Sequence, residues 1–322
     1  MTFIEDVVFF VAIGFVGVSG NVFNFIFTLQ QQVRSRSVQT VGLILDIISI
    51  SNIILVLSTL GMVIGVYLDP GIWCISPYPL NLRLEIFLMM TSSFISFWAI
   101  AWLSLFYCIK VVSFTSECLI SLKKNISSVI NASVLLSCLF SALLFSPTFT
   151  LDLVTSDGTL WRQNSSNNLS CPSLPSFTIP IDTMTYAAAI LLLLCPVPLM
   201  IMLPTSIRMV VHLCAHTLAM QKNQTQVQGS DSYLLVCKLT IALVGVYIST
   251  LFIASSFIIV RMFGKFVTYH TLAGAFSFYG GMTSVLLTAS NRHLKDKLWG
   301  LLCCRKPKEH ATKSLTVETG DV

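Results

Sequence analysis

Residues 94–124 read FISFWAIAWLSLFYCIKVVSFTSECLISLKK. Carried back to Leu84, the first part of this stretch is apolar enough to cross a bilayer. Trp98 and Trp102 stand one helical turn apart and share a face with Phe94. The run leaves the membrane at Tyr107 to Lys110 and passes through a short loop to Lys123 and Lys124. Aromatic bulk therefore sits deep in the span and positive charge at its far end. That polarity suits a helix that senses at one membrane face and reports at the other.

Outward from this stretch, composition points the same way. Of 322 residues, 55% are hydrophobic and 10% charged, and the mean hydropathy is +0.82. Soluble domains carry about 25% charged residues, so a soluble core cannot absorb this apolar excess. Seven apolar segments are visible, at 7–29, 41–68, 84–109, 126–151, 187–213, 234–260 and 269–290. Each must be helical, because a span has only its own backbone to satisfy its N–H and C=O groups. The expected fold class is an all-α membrane protein, a seven-transmembrane-helix bundle forming one domain over 1–304. The start, Met1 to Asp6, is acidic and the apolar run after it is too long for a signal-peptide core, so the first span is expected to act as the insertion signal.

Orientation follows from the distribution of positive charge. With the N-terminus outside, 15 of the 19 Lys and Arg residues fall on the cytoplasmic side and 4 outside, namely Arg83, Arg162, Arg261 and Lys265. The expected topology is a multi-pass protein with a cytoplasmic C-terminus, and the expected location is the plasma membrane. The longest outer segment, 152–182, holds the sequons Asn164-Ser165-Ser166 and Asn168-Leu169-Ser170, both candidate glycosylation sites. After the last span, 291–304 reads NRHLKDKLWGLLCC, with Leu294, Leu298, Leu301 and Leu302 at helical spacing. A short amphipathic helix on the inner surface is expected there, with Cys303 and Cys304 as juxtamembrane palmitoylation candidates. Residues 305–322 read as a polar, disordered tail.

The interior polar residues each carry two readings. Asn21 and Asn52 lie within spans and need partners, so both should face the bundle interior, either as packing hydrogen bonds or as switch elements. Asp46 is the one acid well inside a span. It is either a proton or sodium site or a carboxylate near the cytoplasmic end that reaches water or Arg34. Pro196, Pro198 and Pro204 each remove a backbone donor and can bend the fifth span. His212 and His216 share a helical face, but no third ligand is fixed beside them, so no metal is expected. The ten cysteines contain no CxxC, and the chain has no GxSxG, P-loop, HExxH or dinucleotide fingerprint. Neither a cofactor nor an enzyme is indicated.

Several stretches resemble the type 2 (bitter) taste receptors. FYCIKVVSFT at 106–115 is similar to that family's third-helix FYxxKIANFS, and Trp98 stands nine residues before Tyr107 as the family's tryptophan does. Gly20-Asn21 resembles the first-helix GN motif. Pro198 lies eighteen residues before His216, matching the fifth-helix proline before HxKxM, although the lysine of that pattern is missing between His216 and Met220-Gln221. Residues 283–295 look like HSxxLILGNxKLK, with Thr283 in the place of the histidine. Asn52 stands where the family usually has an arginine, and no acid lies near Ala273. These departures suggest a divergent member, as from a non-mammalian vertebrate.

The resemblance implies a seven-helix G-protein-coupled receptor that binds bitter compounds and activates a heterotrimeric G protein such as gustducin. Independently of the resemblance, Phe94, Trp98 and Trp102 form an aromatic face, with Phe276 as a second wall, that is either core packing or the lining of an apolar ligand cavity in the outer half of the bundle, with the fifth and seventh helices opposite the tryptophans. Tyr107, Lys110, Lys123, Lys124, His216, Met220 and Gln221 fall at the inner ends of helices three and five and on the loop between three and four, where they are expected to couple to the G protein, the lysines otherwise serving as topology signals alone. The family has no disulfide from the third helix, and here Cys74 and Cys171, both in outer loops, are the candidate pair. The alternatives are a vomeronasal type 1-like chemoreceptor, which FYCIK and His216–Gln221 disfavour, and a channel or transporter, which would need more polar pathway residues than Asp46, Asn21 and Asn52. The expected partners are a small tastant, a G protein and membrane lipids.

Overall fold

The computed structural model describes residues 3–35, 39–68, 79–112, 117–150, 183–222, 230–262 and 270–290. These hold α1 (Phe3–Ser35), α2 (Thr40–Leu68), α3 (Leu80–Val111), α4 (Glu117–Phe145), α5 (Thr183–Leu194), α6 (Pro196–Lys222), α7 (Ser230–Met262) and α8 (His270–Ser290). Together they supply seven helices long and apolar enough to cross a membrane, α6 carrying most of the fifth. Among the described residues there is no strand. Asn164, Asn168, Cys74, Cys171, Cys303 and Cys304 lie outside the described residues, as do the expected surface helix and tail.

The helix ends follow local chemistry. Pro79 caps α3 in an extended conformation (φ −63°, ψ 152°), a geometry open to proline. The last turn of α3 closes where the Val112 N–H donates to the Cys108 carbonyl at 2.9 Å. α4 tightens into a 3-10 turn, Ser146–Phe149, that carries Pro147. The fifth span breaks at Cys195, because Pro196 and Pro198 both lack an N–H and each constrains the residue before it. Pro204 sits inside α6.

Position in the bundle decides the faces. Of the central stretch of α3, 72% is buried, against 22% for α4. α3 is therefore the core helix, packed against α2, α4 and α6, while α1 rests on α2 and α8. The outward residues Phe15, Leu136, Leu143 and Phe252 are all exposed and apolar, as a lipid-facing surface requires. Hydrocarbon is as apolar as leucine, so the helices are held by close packing and hydrogen bonds. Gly17 brings α1 close enough to α8 for an added Cβ to lie 3.5 Å from the Gly281 backbone nitrogen. Asn21 Nδ2 donates to the Gly280 carbonyl at 3.1 Å and to Gly17 on its own helix at 2.8 Å. Asn24 Nδ2 donates to the Ser284 carbonyl at 3.1 Å, and Asn24 Oδ1 accepts from the Thr288 hydroxyl at 2.8 Å.

Candidate functional site

The centre of the bundle is an aromatic wedge. Phe97, fully buried on α3, meets Tyr247 of α7 edge-on at 4.5 Å and Tyr279 of α8 edge-on at 5.0 Å. Edge-to-face contacts suit the charge distribution of aromatic rings and fix their orientation. The Tyr247 hydroxyl donates to the Cys195 carbonyl at the proline break, so the broken helix and α7 are tied at this level. Beside Phe97, Ser96 Oγ donates to Asn52 Oδ1 at 2.9 Å and lies 2.8 Å from Tyr279 Oη. One serine thus joins α2, α3 and α8. Two turns further along α3, Ser104 reaches Thr205 at 2.7 Å and Ser206 at 3.3 Å on α6.

The expected tryptophan face lies a quarter-turn away. Trp98 and Trp102 stack at 5.7 Å with 29° between planes, and both are half-buried. Phe94, fully buried, contacts Trp98 at 6.3 Å and the α4 rings Phe140 at 6.5 Å and Phe145 at 5.9 Å. Trp102 Nε1 donates to Ser137 of α4 at 2.9 Å. This face therefore packs along α4, whereas the residue that meets the later spans is Phe97, about 100° around the helix. Phe276 is fully buried and lies one turn from Tyr279 on α8. Trp98 differs from Trp102 in one respect: its Nε1 is buried and has no hydrogen-bond partner.

Sequence reasoning passed over Ser96, Phe97, Tyr247 and Tyr279. The available signal was the two tyrosine hydroxyls at mid-span, since each requires a partner in hydrocarbon. Asn52 does face the interior, as expected. Asp46 does not pair with Arg34: it is buried, Arg34 is exposed, and Asp46 Oδ2 accepts from Gln32 Nε2 at 2.6 Å. Gln32 lies further back on α1 and supplies a neutral donor without bringing a second charge into the bundle.

At the other end of α3, Tyr107 is half-buried against Phe106, at 6.0 Å, and against Met209 of α6, on which Val210 also packs. Lys110 is exposed, with Nζ 4.8 Å from the Phe106 ring centre. Lys123 and Lys124 are also exposed, and Lys123 Nζ lies 3.5 Å from the Val112 carbonyl. His216 and Met220 lie on the last turns of α6 and Gln221 at its end, but their side chains are outside the described residues. His212 is half-buried on the same helix.

The taste receptor protein (TAS2R) family model matches residues 1–306. The chain belongs to that family. It is 35% identical over 136 residues to taste receptor type 2 member 40 of Gallus gallus, covering 40% of each chain. It is 27% identical over 125 residues to taste receptor type 2 member 129 of Rattus norvegicus, covering 39% of each. These matches span about two fifths of the relatives' own length. The crystal structure of squid rhodopsin superposes with a TM-score of 0.64 over 94% of this chain and 87% of that one, at 14% identity, so the likeness is one of fold. The chain is thus a multi-pass membrane protein with the seven-helix fold of a G-protein-coupled receptor, and its family is not one of enzymes.

Proposed function

We propose that this taste receptor binds small, uncharged, bitter-type compounds in the outer half of its bundle and activates a heterotrimeric G protein, gustducin or one like it, at the inner face. In this reading the chain sits in the plasma membrane with its N-terminus outside, as the excess of Lys and Arg on the other side supports. The observation that carries the ligand site is Trp98. A buried indole N–H with no partner is costly, and it offers a bound molecule one hydrogen bond beside an aromatic surface. Trp102 one turn deeper has already given its N–H to Ser137 and serves as a floor. Phe94 and Phe276 supply apolar walls. The nearest acid on α3, Glu85, stands about 20 Å further out along the helix, which favours a neutral ligand at this level. Binding here would press on Phe97 and its contacts with α7 and α8. Tyr107, Lys110, Lys123, Lys124 and the His216–Gln221 end of α6 then form the rim of a groove for a partner helix.

The test is a calcium-response screen against bitter compounds in cells that supply the G protein, with ion flux recorded in parallel. Loss of the Trp98 ring should weaken an agonist by about 1–3 kcal/mol, roughly ten- to more than hundredfold in potency. Trp98→Ala and Trp102→Ala are compared at matched surface expression. An unshifted Trp98→Ala curve moves the site elsewhere, and ion flux without G-protein activation replaces the receptor reading with a channel.

A further inference from the structure

Glu85 is an acid inside a membrane span that pairs with nothing. It stands on α3 in the seam with α2, half-buried, and among the described residues no hydrogen bond or ion pair reaches its carboxylate. Arg83 is close in sequence, but it is buried and gives Nη1 to the Phe149 carbonyl at 3.0 Å. Residues two apart on a helix do not face each other, so its charge is turned away from Glu85.

Across the seam, α2 presents no side chain. A Cβ added at Gly61 would lie 2.9 Å from Glu85 Oε1, so this glycine is what admits the carboxylate. One turn further out, a Cβ at Gly65 would meet nothing within 4 Å. The two glycines and Glu85 frame an open notch with an acid at its deep end. Beside it, Leu84 is 45% exposed, so this edge of α3 is open to the bilayer. Depth follows from length. α3 has 32 residues and is about 48 Å long, against a hydrocarbon core of about 30 Å, so each end reaches about 9 Å beyond that core. Glu85 is about 7.5 Å from the Leu80 end, at the edge of the hydrocarbon.

We propose that this notch binds a lipophilic ammonium ion, a protonated tertiary or a quaternary amine on an apolar body, which enters from the outer leaflet. An ionisable residue in a span marks a site and calls for a counter-charge. At the hydrocarbon edge the attraction between opposite charges exceeds its value in water. One carboxylate does not make a calcium site, which needs six to eight oxygens, so the cation is monovalent. The choline of a phospholipid stands outside its own phosphate, above the level of Glu85. An amphiphilic amine has no phosphate in between, and its nitrogen reaches the hydrocarbon edge. The notch is also distinct from the Trp98 level, about 20 Å deeper along α3. The two levels divide ligands by charge, cations at Glu85 and neutral molecules at Trp98.

The experiment uses the full receptor in phosphatidylcholine nanodiscs and a dodecyltrimethylammonium analogue with a diazirine beside its headgroup, the labelled peptides being mapped after irradiation. Labelling should concentrate on the α2 and α3 segments around Gly61, Gly65 and Glu85. Dodecyltrimethylammonium should compete, while its isostere with carbon in place of nitrogen should compete at least about tenfold less well. Glu85→Gln, which keeps the shape of the side chain, should lower labelling by a similar factor and abolish the preference for charge. Glu85→Asp should retain part of that preference, Gly65→Phe should block the notch, and Trp98→Ala should leave labelling unchanged. Undiminished labelling of Glu85→Gln, equal competition by the neutral isostere, or label spread evenly over all lipid-facing helices overturns the proposal. So does stronger labelling of the same segments by a phosphatidylcholine that carries the diazirine, which would give the notch to a lipid headgroup. Loss of labelling in Trp98→Ala would overturn it as a separate site.

Discussion

Ser96 Oγ lies 2.8 Å from Tyr279 Oη across 183 residues of chain, and the same oxygen donates to Asn52 at 2.9 Å. Removing it leaves a tyrosine hydroxyl and an amide oxygen, both on fully buried residues, without their shared partner. Ser96→Ala should therefore cost about 1–3 kcal/mol, more than the roughly 1 kcal/mol expected for Tyr279→Phe, which deletes only one end of one bond. Thermal unfolding of purified protein in detergent ranks the two. A double mutant no worse than Ser96→Ala shows that they act through one bond, and strictly additive losses would show that they do not.

Phe97 fills the space between Tyr247 and Tyr279. Its burial stabilises through packing contacts more than through escape from water, because the alternative environment is hydrocarbon. Phe97→Ala should cost about 2–4 kcal/mol, and Phe97→Leu less than half of that. The readouts are surface expression and thermal stability. An Ala variant as stable as the parent would mean that the two tyrosines close over the gap.

The spans were legible because a bilayer imposes length and apolarity on every crossing segment, and the seven expected segments all contain long helices. Their ends were not, because α1 and α3 run several residues past their apolar cores at Phe3–Ser35 and Leu80–Val111, where backbone bonding continues after hydropathy stops. Within the site, sequence favoured Trp98 and Trp102 for their bulk, their shared face and the match of Trp98 to the family's tryptophan. Size does not say which side of a helix faces its neighbours when the helix is apolar all round, as α3 is. The placement of Phe97 toward α7 and α8, and of the tryptophans along α4, is set by tertiary packing. Asp46 illustrates the same limit, since its partner Gln32 sits on another helix with no spacing rule to connect them.

Lys110 and Lys123 flank the inner end of α3, both exposed, one beside the Phe106 ring and the other beside the Val112 carbonyl. The hypothesis that this rim contacts the G protein rests on their free charge next to Tyr107 and α6. Lys110→Ala plus Lys123→Ala should lower agonist-evoked G-protein activation several-fold at equal surface expression, with agonist binding unchanged. Signalling at the parental level in the double variant would reduce these lysines to topology signals.

Gly280 sets how closely α8 approaches α2. A Cβ built there would meet Val56 Cγ2 at 2.7 Å and the Asn52 carbonyl at 3.9 Å. The first contact is too short to hold. The second is ordinary, so the obstacle is the valine methyl rather than the backbone. Val56 is fully buried and β-branched, with few rotamers to retreat into. Gly280→Ala should therefore push α8 outward and strain the Gly280 carbonyl's bond from Asn21 and the nearby Ser96–Tyr279 contact, at a cost of about 1–3 kcal/mol. Val56→Ala removes the offending methyls and, by itself, opens a small gap. Combined, the two substitutions add one methyl where two were removed across the same seam, so the double variant should regain most of the stability lost by Gly280→Ala. Thermal melts of the parent, both single variants and the double close the cycle. If the double variant melts no higher than Gly280→Ala, the clash with Val56 is not what the glycine avoids.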